Sequence, residues 1–125
     1  MIFGIGIDNI EVSRIEKNIS KDIGFREKVF TPKEIEYCEL KKAGRFQSYA
    51  ARFCAKEAFF KALGTGWRGE MAFDEIEVVN NKLGKPELTV YGTVKEFVEK
   101  KKIKTIHVSL SHLKEIASAI IIMES

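Results

Sequence analysis

Hydrophobic and polar positions along this chain change period several times, and each change marks an element. From Ile2 to Asp8, Phe3, Ile5 and Ile7 alternate with Ile2, Gly4, Gly6 and Asp8, the two-residue period of a β-strand. Gly4 and Gly6 on one face of that strand leave room for another segment to come close. Asp8 is expected to end the strand, after which Ile10, Val12, Ile15 and Ile19 recur at helical spacing. Thr31-Pro32-Lys33-Glu34 opens a second helix, with Thr31 as N-cap, Pro32 at the first helical position and Glu34 completing a capping box. It is expected to run through Leu40 and stop near Gly44. The longest helix is predicted from about Ser48 to Leu63, with Gly64 as a left-handed cap. Strands follow at Ile76 to Val79 and Leu88 to Tyr91, around the turn-rich segment from Asn80 to Pro86. A short amphipathic helix carries Val94, Phe97 and Val98, with Lys100, Lys101 and Lys102 at its C-terminal end, where cations suit the dipole. Ile106 to Leu110 and Ile116 to Met123 read as a closing hairpin, broken at Ser111-His112-Leu113-Lys114-Glu115. No Pro/Gly/Ser linker divides the sequence. The expectation is one α+β domain over residues 1–125, a long central helix packed on a mixed or antiparallel sheet.

Composition adds limits. The chain has 125 residues, 45% hydrophobic and 31% charged, enough to bury about two thirds of the surface its unfolded form exposes without staples. Its net charge of +3 comes from Lys and Arg interspersed with Asp and Glu, and no clustered basic motif indicates nucleic acid. A small anionic ligand or an acidic partner fits this charge as well. The first residues lack a basic leader and are broken by glycines, so neither a signal nor a membrane span is expected, and the cytoplasm is the expected location. Cys38 and Cys54 have no metal or disulfide spacing; Cys54 reads as a core residue and Cys38 as half exposed.

Chemistry concentrates in the stretch from Arg52 to Gly66. At 100° per residue, Glu57 and Lys61 share one side of the helix between Phe53 and Phe60 on one edge and Cys54 and Ala58 on the other, with Arg52 and Lys56 well away. Charges hemmed in this way lose hydration and need a metal, an anion or a buried partner. The plain alternative is an i, i+4 ion pair on a solvated face, contributing about 0.2 to 0.5 kcal/mol. Asp8, Glu57, Lys61, the Gly64 to Gly66 segment and His112 are the positions expected to converge. Two carboxylates from distant segments can hold Mg²⁺ while leaving most of its positions to water and phosphate oxygens. Each residue has an ordinary reading too: Asp8 as a helix cap, the glycines as a helix stop, His112 as a turn residue.

Five segments together resemble a known family: Gly4-Ile5-Gly6-Ile7-Asp8 with Arg14-Ile15, Phe30-Thr31 with Glu34, Arg52 through Gly66, Gly84-Lys85-Pro86, and Val108-Ser109-Leu110-Ser111-His112. In this order and spacing they are similar to the holo-acyl-carrier-protein synthases, the small single-repeat 4'-phosphopantetheinyl transferases. The resemblance implies transfer of the phosphopantetheine arm of coenzyme A to a serine of an apo acyl carrier protein, with release of adenosine 3',5'-bisphosphate, in fatty acid biosynthesis. It assigns catalysis to Asp8, Glu57 and Lys61, with Asp8 and Glu57 holding Mg²⁺, or Mn²⁺ as the alternative. Lys61 is given a clamp role on the phosphates, because a lysine among carboxylates and phosphates is held protonated, and a metal-bound water is the better base. Arg45, Arg52 and His112 are assigned to the nucleotide end of coenzyme A, with Lys61, Gly64, Gly66 and Pro86 completing its site. Arg14, Lys17 and Lys21, three and four residues apart, form the expected face for an acidic carrier protein, extended by Arg26. Glu11, Glu16, Asp22 and Glu27 dilute that charge and keep a merely solvated face as the alternative. The resemblance also implies a homotrimer with active sites between neighbouring subunits. A noncatalytic module binding coenzyme A or the carrier is the competing class.

Overall fold

The N-terminal alternation is a strand, β1 (Ile2–Glu11), followed by α1 (Val12–Lys21), α2 (Phe25–Val29), α3 (Pro32–Glu39), the long α4 (Arg45–Leu63), β2 (Ile76–Asn80), β3 (Pro86–Val90), α5 (Gly92–Lys100), β4 (Thr105–His112) and β5 (Ile116–Glu124). This computed structural model describes residues 1–66 and 69–125. Among the described residues two sheets form, β1-β5-β4 and the hairpin β2-β3, with every pairing antiparallel, so the fold is α+β with the antiparallel form of the expected sheet.

Most elements lie where the pattern puts them, and the differences have local causes. Asp8 does not end β1: Asn9, Ile10 and Glu11 continue the ladder opposite Ser118, Ala117 and Ile116, and Ile10 points into the core. Ile10 therefore belongs to the strand's period of two, and Asp8, opposite Ala119 of β5, has paired residues before and after it along the strand. Helix α2 was not legible, because five residues are too few to show a helical period. The capping box of α3 forms as expected: the Glu34 amide donates to Thr31 Oγ1 at 3.3 Å and the Thr31 amide to Glu34 Oε1 at 2.9 Å. Helix α4 starts three residues before the predicted Ser48 and ends at Gly64, whose φ of +82° is the left-handed cap. Cys38 is buried rather than half exposed, donating from Sγ to Ser48 Oγ, and burial pushes its thiol up to about 11.

Helix α4 lies between the three-stranded sheet and the β2-β3 side, and residues all round it are buried. Its contact with β1 is unusually close. A Cβ built on Gly6 would lie 1.9 Å from the Ala58 carbonyl oxygen, and one on Gly4 would lie 2.0 Å from that of Ala62. Only glycine lets the strand backbone rest on the helix backbone here. The sheet's outer face is different: Ile5 and Ile7 are 56% and 63% exposed beside half-buried Ile120 and Ile122, an apolar patch on the side away from α4.

Candidate active site

The close glycine contacts fix what meets what. Moving two residues along β1 moves the contact four residues back along α4, from Gly4 over Ala62 to Gly6 over Ala58. Asp8, next on that face, therefore arrives near Cys54, and Glu57 and Lys61 flank it from the same helix. Lys61 Nζ donates to Asp8 Oδ1 at 3.1 Å and to the Ile7 carbonyl at 3.0 Å. The ion pair Lys61 makes is thus across to the strand, not the i, i+4 pair with Glu57 that spacing alone suggests. Burial first, and then the Asp8 charge, push the Glu57 carboxyl above the usual carboxylate range, against the opposing pull of Lys61. Cys54 beneath them is pushed up to about 12, mainly by burial and then by Asp8. It is an uncharged floor rather than a nucleophile.

A half-buried carboxyl pushed up by burial and by the charge of a second carboxylate forms a site that a cation would relieve. Their hard oxygen donors fit Mg²⁺ or Mn²⁺. Among the described residues no group of three or more His, Cys, Asp and Glu could build an all-protein cage. A cation held by Asp8 and Glu57 would keep most of its positions for water and for ligand oxygens.

A cavity of about 460 Å³ opens on the other flank of α4, where Arg52, Lys41, Tyr37, Asn80, Pro86 and His112 are among the residues that line it. Arg52 is buried, with its guanidinium held from several sides. Nε donates to the Val78 carbonyl at 3.1 Å, Nη1 to Ser48 Oγ at 3.0 Å and Nη2 to Asn80 Oδ1 at 2.7 Å, and its plane lies 4.3 Å from the Tyr37 ring centroid. Asn80 in turn donates to the Gly84 carbonyl at 2.9 Å, so Arg52 braces the β2-β3 turn that forms one wall. Pro86 and His112 line this cavity with it, whereas Lys61, which the same assignment groups with them, lies beside Asp8.

Arg45 does not line it: its guanidinium donates to the Lys42 carbonyl at 3.0 Å and lies over the Phe46 ring. Lys41 takes the basic position instead. Lys41, Tyr37 and Asn80 were missed by sequence reasoning. The signal for the first two was their i, i+4 spacing along α3 and the turn that follows it. Gly64 and Gly66 both have positive φ, and Thr65 between them lines a separate cavity of about 710 Å³ shared with Met71, Thr93 and Phe97.

Helix α1 persists through Lys21, leaving Arg14, Lys17 and Lys21 exposed. Arg26 is engaged elsewhere, at 2.7 Å from Glu27 and 3.4 Å from Glu39, so its charge is largely balanced within the chain. Among the described residues no helix is long and apolar enough to cross a membrane.

Comparison with known proteins bears on this arrangement as a whole. A holo-[acyl-carrier-protein] synthase from Syntrophus aciditrophicus is 48% identical over 125 residues, covering 99% of this chain and 97% of that one. The crystal structure of holo-[acyl-carrier-protein] synthase from Neisseria meningitidis superposes with a TM-score of 0.89 at 32% identity, covering both chains fully. That of a holo-(acyl-carrier-protein) synthase from Bacillus anthracis, in complex with CoA (3',5'-ADP), superposes with a TM-score of 0.82 at 41% identity, covering 100% of this chain and 98% of the other. The sequence model of the 4'-phosphopantetheinyl transferase superfamily matches residues 4–120, a span that contains Asp8, Glu57, Lys61 and the whole Arg52 cavity, and the chain belongs to that superfamily.

Proposed function

We propose that this chain is a holo-acyl-carrier-protein synthase that uses Asp8, Glu57 and Lys61 as its reacting centre. It transfers the 4'-phosphopantetheine of coenzyme A to a serine of apo acyl carrier protein. The observation that carries the assignment is the meeting of Asp8 from β1 and Glu57 from α4 at a site where their charges oppose each other and Lys61 bridges to the strand. That electrostatic demand, in a fold shared with synthases including one solved with CoA, favours catalysis over a passive binding module.

Asp8 and Glu57 would hold Mg²⁺ or Mn²⁺, which when bound neutralises pyrophosphate charge during transfer. Lys61, half exposed beside them, reaches phosphate oxygens while staying anchored on the Ile7 carbonyl. The carrier serine gives its proton to water as its oxygen forms the new P–O bond and the pyrophosphate P–O bond breaks, and adenosine 3',5'-bisphosphate leaves. Positioning and charge stabilisation supply most of the rate in such transfers. Lys41, Arg52 and His112 give the 460 Å³ cavity its basic wall for the nucleotide end. Arg14, Lys17 and Lys21 offer the exposed basic face for the acidic carrier.

A homotrimer fits two features. Ile5 and Ile7 are exposed on one face of β1 beside half-buried Ile120 and Ile122, a contiguous apolar patch of the kind that marks an interaction surface. Lys61 lies nine residues from Arg52, about 180° round α4 at 100° per residue, so carboxylate site and nucleotide cavity occupy opposite flanks of one chain. Neighbouring subunits would bring the flank of one against the flank of the next. The cytoplasm is the compartment this reading assigns, and the two free cysteines suit it.

Intact-mass spectrometry of an apo acyl carrier protein, after incubation with the chain, coenzyme A and Mg²⁺, tests the proposal directly. A carrier heavier by one phosphopantetheine, seen with metal and not with excess chelator, is the expected result. A carrier left unmodified across several apo carriers, with the chain folded, would replace it with the noncatalytic module.

A further inference from the structure

The reacting centre uses one side of α4, and a fully buried charge sits on another. Lys56, adjacent in sequence to Glu57, is fully buried, as is its partner Glu34. Its ammonium lies 2.8 Å from Glu34 Oε1, 2.8 Å from the Val29 carbonyl, 2.9 Å from that of Phe73 and 2.5 Å from that of Ile76. These acceptors belong to four different places: the end of α2, the first turn of α3, the short 3-10 turn Phe73–Glu75 and the start of β2. Glu34 is itself held, accepting from the Thr31 amide and, through Oε2, from the Val78 amide at 2.8 Å. One turn earlier, Arg52 grips the Val78 carbonyl. Alternate carbonyls of β2, Ile76 and Val78, are therefore taken by two cations one turn apart on α4.

On its opposite side α4 rests backbone to backbone on β1 at Gly4 and Gly6. The helix is thus located by contact on one side and by a caged ammonium on the other. Such a device fixes rotation about the helix axis, which apolar packing alone leaves softer. Side chains stand roughly 5–6 Å from a helix axis, so a roll of about 10° would carry the Glu57 carboxylate about 1 Å along its arc relative to Asp8. Misplacement of that size costs on the order of 10²-fold in rate.

We infer that Lys56 is a positioning residue for the transfer reaction: caged by Glu34 and the carbonyls of Val29, Phe73 and Ile76, it sets the roll of α4 that places Glu57 beside Asp8. The inference rests on the proposed transferase reading. Lys56 touches no reacting atom, and its effect is exerted through Glu57.

Lys56→Arg and Lys56→Met test it. Arginine keeps the charge toward Glu34, but its planar fork cannot occupy a four-acceptor cage built for a compact ammonium. Methionine removes the charge and can fail to fold, which is why the arginine variant is the primary probe. Each variant that is folded by circular dichroism is assayed for transfer, and its Mn²⁺ affinity is measured by electron paramagnetic resonance in the absence of coenzyme A and carrier. The expected result is kcat lowered roughly 10- to 100-fold, weaker Mn²⁺ binding, and a KM for coenzyme A within about twofold of wild type, since the Arg52 cavity is retained. Wild-type kcat and Mn²⁺ binding in folded Lys56→Arg overturn the inference, as do equal losses in kcat and coenzyme A binding. Failure of both variants to fold assigns Lys56 to stability alone and overturns it too. If the wild-type chain transfers nothing, the transferase reading falls instead.

Discussion

Lys56 and Lys61 stand five residues apart on α4, and each meets a carboxylate from another element, Glu34 at 2.8 Å and Asp8 at 3.1 Å. The first pair has no solvent exposure on either side chain; in the second Lys61 is 54% exposed and Asp8 19%. Around Lys56 every acceptor is a protein atom in place before any ligand arrives. Around Lys61 the satisfaction is incomplete, and the Glu57 carboxylate next to it has no hydrogen-bond or ion-pair partner among the described residues. A buried ion pair is tolerated when every lone pair and proton has a partner, and it then locates the elements it joins. An open pair flanked by a second, unrelieved carboxylate stores electrostatic demand for a ligand. One helix carries both designs, and the difference in partners separates scaffold from site.

The largest expected effect breaks the comparison on stability. Lys56→Met leaves Glu34 and three carbonyls without their buried partner and is expected to cost about 3–5 kcal/mol, the range for breaking one side of a buried pair. Lys61→Met removes an exposed pair and is expected to change stability by only about 0–1 kcal/mol. Urea unfolding of the two variants checks this. Equal costs would show that the two pairs do not differ in kind.

Catalysis should reverse the order. Asp8→Ala and Glu57→Ala are each expected to lower transfer by roughly 10²- to 10³-fold, the usual loss when one preorganised group at a reacting centre is removed, while the protein stays folded. Initial rates of carrier modification, with circular dichroism as control, measure it. Near-normal turnover in either variant would remove the two-carboxylate metal site.

How much of this was legible follows from how local each feature is. Asp8, Glu57 and Lys61 could be named because short motifs carry them, and the glycine alternation at Gly4 and Gly6 already announced a close approach that the Ala58 and Ala62 carbonyls supply. The capping box of α3 was readable from four consecutive residues. By contrast, Lys56 looks in sequence like any helical lysine. Its burial depends on Val29, Glu34, Phe73 and Ile76 converging from four segments, which no window of the sequence contains. The same holds for Arg45 and Lys41. Three residues beyond α3 the short 3-10 turn Lys42–Gly44 redirects the chain, leaving Lys41 on the cavity and Arg45 outside it. Arg26 was assigned by charge with Glu27 already beside it in sequence, and the structure adds Glu39 of α3 as a second acidic neighbour.

The smallest expected effect concerns the strain in the open site itself. In the folded chain, burial and the Asp8 charge raise the Glu57 carboxyl above its ordinary value. Ionised Glu57 therefore weighs against the folded state at any pH above that raised value, and the penalty fades as pH falls through it, vanishing below the ordinary carboxylate range. Glu57→Gln keeps the shape and removes the charge. Without metal at pH 7 its Tm should be equal to or slightly above wild type, and the difference should close near pH 4. If Mg²⁺ is held as proposed, by Asp8 and Glu57 of the folded state, it should raise the wild-type Tm by mass action, leaving Glu57→Gln nearly unmoved. Thermal scans across pH, with and without Mg²⁺, read all three. A variant clearly less stable than wild type at pH 7 would mean that Glu57 is held by its surroundings as firmly as Glu34 is, and the distinction between the two sides of α4 would fail where it matters most, at the carboxylate beside Asp8.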